Sequence, residues 1–120
     1  PVVWTGVQAV AIARGFEQSV NESEYRLWAL AIMPDHVHVV VAEHATSPTR
    51  IAGHLKGRAT QELRASCGWP PDQPVWGKRS WVSWLNSDDA VLAAVRYVEE
   101  NPVKAGLKPQ RWRIVTPYTS

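Results

Sequence analysis

Two histidines flank a single valine at residues 36–38, inside the apolar run LWALAIMPDHVHVVVA. In an extended chain alternate side chains share a face, so His36 and His38 point the same way, roughly 6.5–7 Å apart at the backbone, while Val37, Val39 and Val41 face the other side. An imidazole buried in a strand without a partner is costly. A pair on one face can converge on one ion: neutral ring nitrogen suits divalent transition metals, and also Mn²⁺ or Mg²⁺ where oxygen ligands complete the shell. Two half-exposed rings hydrogen-bonded to their neighbours satisfy the same pattern. A second pair adds to the first. Tyr97 and Asn101 stand four residues apart in DAVLAAVRYVEENP, so one helix face presents a phenol and a carboxamide together. The amide oxygen of Asn101 offers a third ligand, and the hydroxyl of Tyr97 can reach whatever the ion holds. The plainer account makes Tyr97 an amphipathic core residue and Asn101 the cap of the turn opened by Pro102.

These residues need elements to position them. Residues 26–33 and 36–42 read as two strands of an antiparallel hairpin, with Pro34 and Asp35 at the turn. Upstream, residues 4–20 place Val7, Val10, Ala11, Ala13 and Phe16 at helical spacing, and the polar NESEY closes that helix. In SPTRIAGHLKGRATQELRAS, Ser47 is the expected N-cap, Pro48 suits the first helical position, and Ile51, Leu55, Ala59 and Leu63 recur every four residues as a buried stripe. CGWPPDQPVW reads as a loop and VWGKRSWVSWL as the next strand. The third helix takes Asn86 or Ser87 as N-cap, acidic residues in its first turn, and Leu92, Val95 and Val98 as its apolar face. Pro102 disfavours a helical Asn101, so this helix is expected to end or kink there, with Gly106 as the stop of a short turn. The order helix, strand, strand, helix, strand, helix predicts an α+β fold in which helices lie on one face of an antiparallel sheet, with one strand missing at the front.

A chain of 120 residues makes one domain. No run of about 18 uninterrupted apolar residues suggests a membrane span. The lone Cys67 excludes an internal disulfide and fits a cytosolic protein. The chain opens abruptly at PVVW with no signal-like segment, as a fragment or trimmed chain does. Charge is unevenly spread: residues 46–120 hold 11 Lys/Arg against six Asp/Glu. That part also holds Trp69, Trp76, Trp81, Trp84 and Trp112, interleaved with cations such as Lys78 and Arg79. Flat rings beside cations suit unpaired bases and their phosphates. A tryptophan-rich core with a solvated basic rim is the plainer reading of the same composition.

MPDHVHVVV, HLKGRAT and VWGKRSWVSWLNSDDAVLAAVRYVEENPVKAGL, in that order, resemble the single-tyrosine HUH transposases of insertion sequences, above all the REP-associated tyrosine transposases of bacteria. The similarity runs from about Tyr25 to Pro109. It implies a ferredoxin-like, RRM-like sheet whose first strand has no counterpart here. An incomplete sheet has a bare edge, so either an upstream segment was trimmed or another chain pairs there. The resemblance also implies that residues 1–120 form one HUH catalytic domain, with His36, His38 and Asn101 holding Mg²⁺ or Mn²⁺ and Tyr97 as nucleophile. Lys56, Arg58, Lys78, Arg79 and Trp81 are the expected DNA contacts, and Trp81 and Trp84 depart from the smaller residues often found near that strand. Glu99 and Glu100 receive no role.

The implied chemistry follows from what a phenol lacks. An ordinary tyrosine ionises near pH 10 and is a weak nucleophile at neutral pH. A cation on the scissile phosphate compensates by neutralising charge and stabilising the departing 3′ oxygen. The expected product is a 5′-phosphotyrosine and a free 3′-OH, which allows strands to be rejoined without ATP during DNA transposition. The implied partner is single-stranded DNA with a hairpin near the cleavage site, bound by a monomer or a homodimer in the bacterial cytoplasm, with no membrane. The rival readings are a domesticated DNA-hairpin binder without cleavage activity and a structural metal-binding module.

Overall fold

The computed structural model describes residues 3–85 and 88–118. Helix α1, Gly6–Ser23, starts where Thr5 and Gln8 satisfy each other's backbone. The Thr5 hydroxyl accepts from Gln8 N–H at 3.2 Å, and Gln8 Oε1 accepts from Thr5 N–H at 2.9 Å. This capping box occupies two amide donors that the helix cannot. Helix α2, Pro48–Cys67, starts as expected at Ser47 with Pro48 in the first turn, and it ends at Gly68 in the left-handed region (φ 64°). Its stripe of Ile51, Leu55, Ala59 and Leu63 is buried throughout.

The two helices cross at Gly15. A Cβ on that residue would lie 2.4 Å from the Ala59 Cα, so only glycine permits this approach. Nearby, the buried Ser19 hydroxyl donates to the His54 carbonyl at 3.1 Å.

Strands β1, Leu27–Ile32, and β2, Val37–Val41, form the expected antiparallel hairpin. Its register slips between Leu27 and Ala29. The irregularity lets Leu27 join Leu30, Ile32, Val37, Val39 and Val41 on the face covered by α1 and α2, while Ala29, Ala31, Met33 and Val40 face the other way. Helix α3, Asp88–Lys104, covers that second face through Val91, Ala94, Val95 and Val98. The small Ala29 and Ala31 leave room for it.

The α+β element order is as expected, but two details differ. Helices cover both faces of the sheet, not one. The sheet is mixed, not antiparallel: strand β3, Trp81–Leu85, pairs in parallel with β2, in the order β1-β2-β3. A parallel neighbour needs a long crossover, and the segment containing α2 supplies it. The strand is also shorter than predicted, since the residues before Trp81 form turns that bury Val75 in the core.

Helix α3 does not end at Asn101. It runs through the buried Pro102 to Lys104 and closes with Gly106 N–H donating to Val103 O at 3.0 Å and Leu107 N–H to Pro102 O at 2.8 Å, with Gly106 at φ 80°. That pair of bonds is a Schellman closure, and it satisfies the last carbonyls in spite of the proline. The expected N-cap at Asn86 or Ser87 lies outside the described residues.

The outer edge of β1 is clasped by the C-terminal segment. The Gln110 amide donates to Ile32 O at 2.9 Å and accepts from Ile32 N–H at 2.8 Å, acting as the rung of a neighbouring strand would. Thr116 N–H donates to Leu27 O at 2.8 Å beside a bridge between Leu27 and Val115. Among the described residues, no helix is long and apolar enough to cross a membrane.

Candidate active site

The turn between β1 and β2 sets the first histidine. Met33 N–H donates to His36 O at 2.8 Å, and Trp4 N–H donates to Pro34 O at 2.6 Å, so the turn is held from both sides. His36 Nδ1–H donates to the Asp35 carboxylate at 2.6 Å. A carboxylate can only accept, so this contact fixes the tautomer and leaves the lone pair of His36 on Nε2.

His38 lies one pleat further along, on the α3 face, and is 6% exposed. Burial pushes it down to about 4, and the neighbouring His36 adds to the shift, so its ring is neutral at physiological pH. The two rings sit 4.6 Å apart, nearly perpendicular.

Helix α3 brings the other two residues. The Asn101 amide nitrogen is 3.3 Å from His38 Nε2. An amide N–H donating there makes Nε2 the lone-pair nitrogen of His38 as well, and it leaves the Asn101 oxygen as a further donor atom. The Tyr97 ring lies 5.8 Å from the His38 ring, and the residue is 49% exposed. The phenol therefore stands at the rim of the site, open to a substrate, and not among aliphatic neighbours.

The His36 and His38 imidazoles, the Asn101 carboxamide and the Tyr97 phenol thus meet at one place. The donor set fits a divalent cation in chemistry: two imidazoles, one oriented by a carboxylate and the other kept neutral by burial, beside a carboxamide. Among the described residues, no group of three His, Cys, Asp or Glu side chains is set to hold an ion, and here the further donors are an amide and a hydroxyl.

The residues expected to touch DNA are not gathered there. Trp81 packs on the α1–α2 face, edge-on to Phe16 at 5.8 Å and to Trp76 at 5.7 Å, with Lys56 Nζ 5.3 Å from its ring centre. Arg58 is committed to Glu22 through Nε at 2.7 Å and through a second, shorter contact from its terminal nitrogen. Lys78 and Arg79 are exposed in the turn before β3. The other two histidines of the chain have partners elsewhere. His54 links Tyr25 (2.9 Å) to Glu22 (3.1 Å), and His44 contacts the Ser23 carbonyl at 2.9 Å.

Asp35 is the member of the site that the sequence alone did not single out. Its signal was there, since a carboxylate directly before a metal-type histidine is an orienting group, but a Pro-Asp pair reads first as a turn.

A profile of the IS200-like transposases matches residues 3–101, and the chain belongs to that family. A protein of Haemophilus influenzae provisionally named a REP-associated tyrosine transposase is 23% identical over 100 residues, covering 76% of this chain. The chain spans 57% of that relative's length. No solved structure matches the chain.

Proposed function

We propose that this chain is the catalytic domain of a DNA strand transferase that uses Tyr97 as nucleophile on single-stranded DNA. The observation that carries the reading is the meeting of a half-exposed phenol with two imidazoles and a carboxamide, brought together by the β1–β2 hairpin and α3. Membership of the IS200-like transposases supports it at the level of class.

In this reading the Tyr97 oxygen attacks the scissile phosphorus. The bond from phosphorus to the 3′ oxygen breaks, the phenolic proton leaves to solvent, and the departing oxygen takes one up. The product is a 5′-phosphotyrosine and a free 3′-OH. His36, His38 and Asn101 would hold Mg²⁺ or Mn²⁺, which when bound supplies neutralisation of phosphate charge and stabilisation of the leaving oxygen. Asp35 keeps the His36 ring turned with its lone pair outward. The burial of His38 keeps a positive charge off the ring that a cation must approach.

The test is Tyr97→Phe. Covalent capture of a single-stranded substrate should disappear, while strand affinity and thermal stability stay near wild type, because the phenol is at the rim. Adduct formation at the normal rate would assign the nucleophile elsewhere. Unimpaired hairpin binding by a wild-type protein that forms no adduct would favour a domesticated binder.

A further inference from the structure

Helix α3 has two flanks. With Val91, Ala94, Val95 and Val98 turned to the sheet, Tyr97 and Asn101 lie to one side, whereas Arg96 and Glu99 lie to the other, as 100° per residue requires. On that second flank a cleft of about 640 Å³ opens between α3, the edge of β1 and the C-terminal segment. Its walls include Trp28, Trp112 and Tyr118, and its rim Arg96, Arg111 and Glu99. The irregularity in β1 creates it, because the slip after Leu27 turns Trp28 onto the α3 face beside Ala29. The Tyr118 ring stands edge-on to Trp28 at 5.1 Å, and the Arg26 guanidinium lies 5.5 Å from the Trp28 ring centre. The Trp112 indole is pinned by donating to Gln110 Oε1 at 3.0 Å.

We propose that this cleft seats an unpaired nucleotide of the DNA strand, its base against the aromatic walls and its phosphate on Arg96 and Arg111. The volume falls within the roughly 300–1,000 Å³ of small-molecule sites. Two arginines against one carboxylate give the rim the charge a phosphate requires, and stacking on aromatic rings accepts any base. Glu99 offers an acceptor to base N–H groups. A helix is roughly 10 Å across, so a base held here belongs to a nucleotide other than the one cleaved beside Tyr97. The inference rests on the proposed function in taking single-stranded DNA as the substrate.

The experiment uses the full chain and an unstructured single strand carrying one 5-bromodeoxyuridine, irradiated and mapped by peptide mass spectrometry, together with strand affinity by fluorescence anisotropy. Cross-links should fall on Trp28, Trp112 or Tyr118. Trp28→Ala should weaken affinity about 5- to 150-fold, the span of one base–aromatic stack, and Trp28→Phe less than about fivefold. Arg111→Ala, at an exposed position, should lower the salt slope of binding by about one, and it decides the matter together with the cross-link if Trp28→Ala fails to fold. Cross-links confined to other residues, with affinity and salt slope unchanged in the folded variants, would overturn the proposal. So would self-association of the chain that Trp28→Ala abolishes without altering strand binding. Cross-linking to these rings in a wild-type protein that forms no Tyr97 adduct would leave the cleft standing and remove the transferase reading.

Discussion

The two faces of the sheet are built from the same three strands and differ in almost everything else. Under α1 and α2, strands β1 and β2 present Leu27, Leu30, Ile32, Val37, Val39 and Val41, and the helices close to the limit set by Gly15 against Ala59. Under α3, strands β1 and β2 present the small Ala29 and Ala31, Val40, a partly buried Trp28 and the buried His38, and the helix carries a half-exposed phenol and a carboxamide at the margin. One face holds the molecule together. The other, with less to bury, can present polar groups to a substrate while the first keeps them in place.

Damage to the α1–α2 face should therefore cost stability without touching the chemistry directly. Gly15→Val should have the largest effect, beyond the about 1–3 kcal/mol usual for overpacking, because the atom met is backbone. Leu55→Ala should cost about 2–5 kcal/mol. Thermal and denaturant unfolding measure both, and a Gly15→Val protein as stable as wild type would contradict the crossing described here.

On the α3 face, Asp35→Asn should leave the fold intact and weaken divalent-ion affinity and strand cleavage by about 10- to 100-fold, as for other groups that orient a ligand. Titration of Mn²⁺ by calorimetry, beside cleavage rates, checks this; wild-type affinity in the variant would remove Asp35 from the site.

Acid should separate the faces again. The unfolded His38 titrates near 6.5 and the folded one at about 4, so within that window the unfolded chain takes up a proton that the folded chain refuses. In chelator, stability should fall as pH is lowered from about 6.5 to 4 and be fully present above it, and His38→Gln should flatten that slope. A slope unchanged by His38→Gln would count against a buried neutral ring.

The smallest effect belongs to Arg58. Its guanidinium is occupied by Glu22, so Arg58→Ala should alter strand affinity and its salt dependence less than Lys78→Ala or Arg79→Ala, whose side chains stand exposed. A larger loss on removing Arg58 would restore it as a DNA contact.

Much of this arrangement was legible in the residues. Alternation along β2 places His36 and His38 opposite Val37, Val39 and Val41, and that needs no tertiary knowledge. The helical stripe of α2 and its cap at Ser47 are local features as well. What eluded the sequence is non-local. Apolar patterning in Trp81–Leu85 says strand but not which neighbour or direction, so the parallel pairing was unreadable. Pro102 promised a break that the closure at Gly106 and Leu107 made unnecessary. The contacts of Arg58 with Glu22 and of Trp81 with Phe16, 36 and 65 residues apart in sequence, are equally beyond a local reading. Trp28 owes its place to a slip in register that no local preference announces.

The most direct test of the central claim is peptide mapping of the covalent complex formed with a single-stranded substrate in Mn²⁺. The account predicts a nucleotide phosphate on the phenol of Tyr97, lost in Tyr97→Phe and strongly reduced in His36→Ala and His38→Ala. A phosphate attached to Tyr25 or Tyr118, or an adduct indifferent to both histidines, would contradict it.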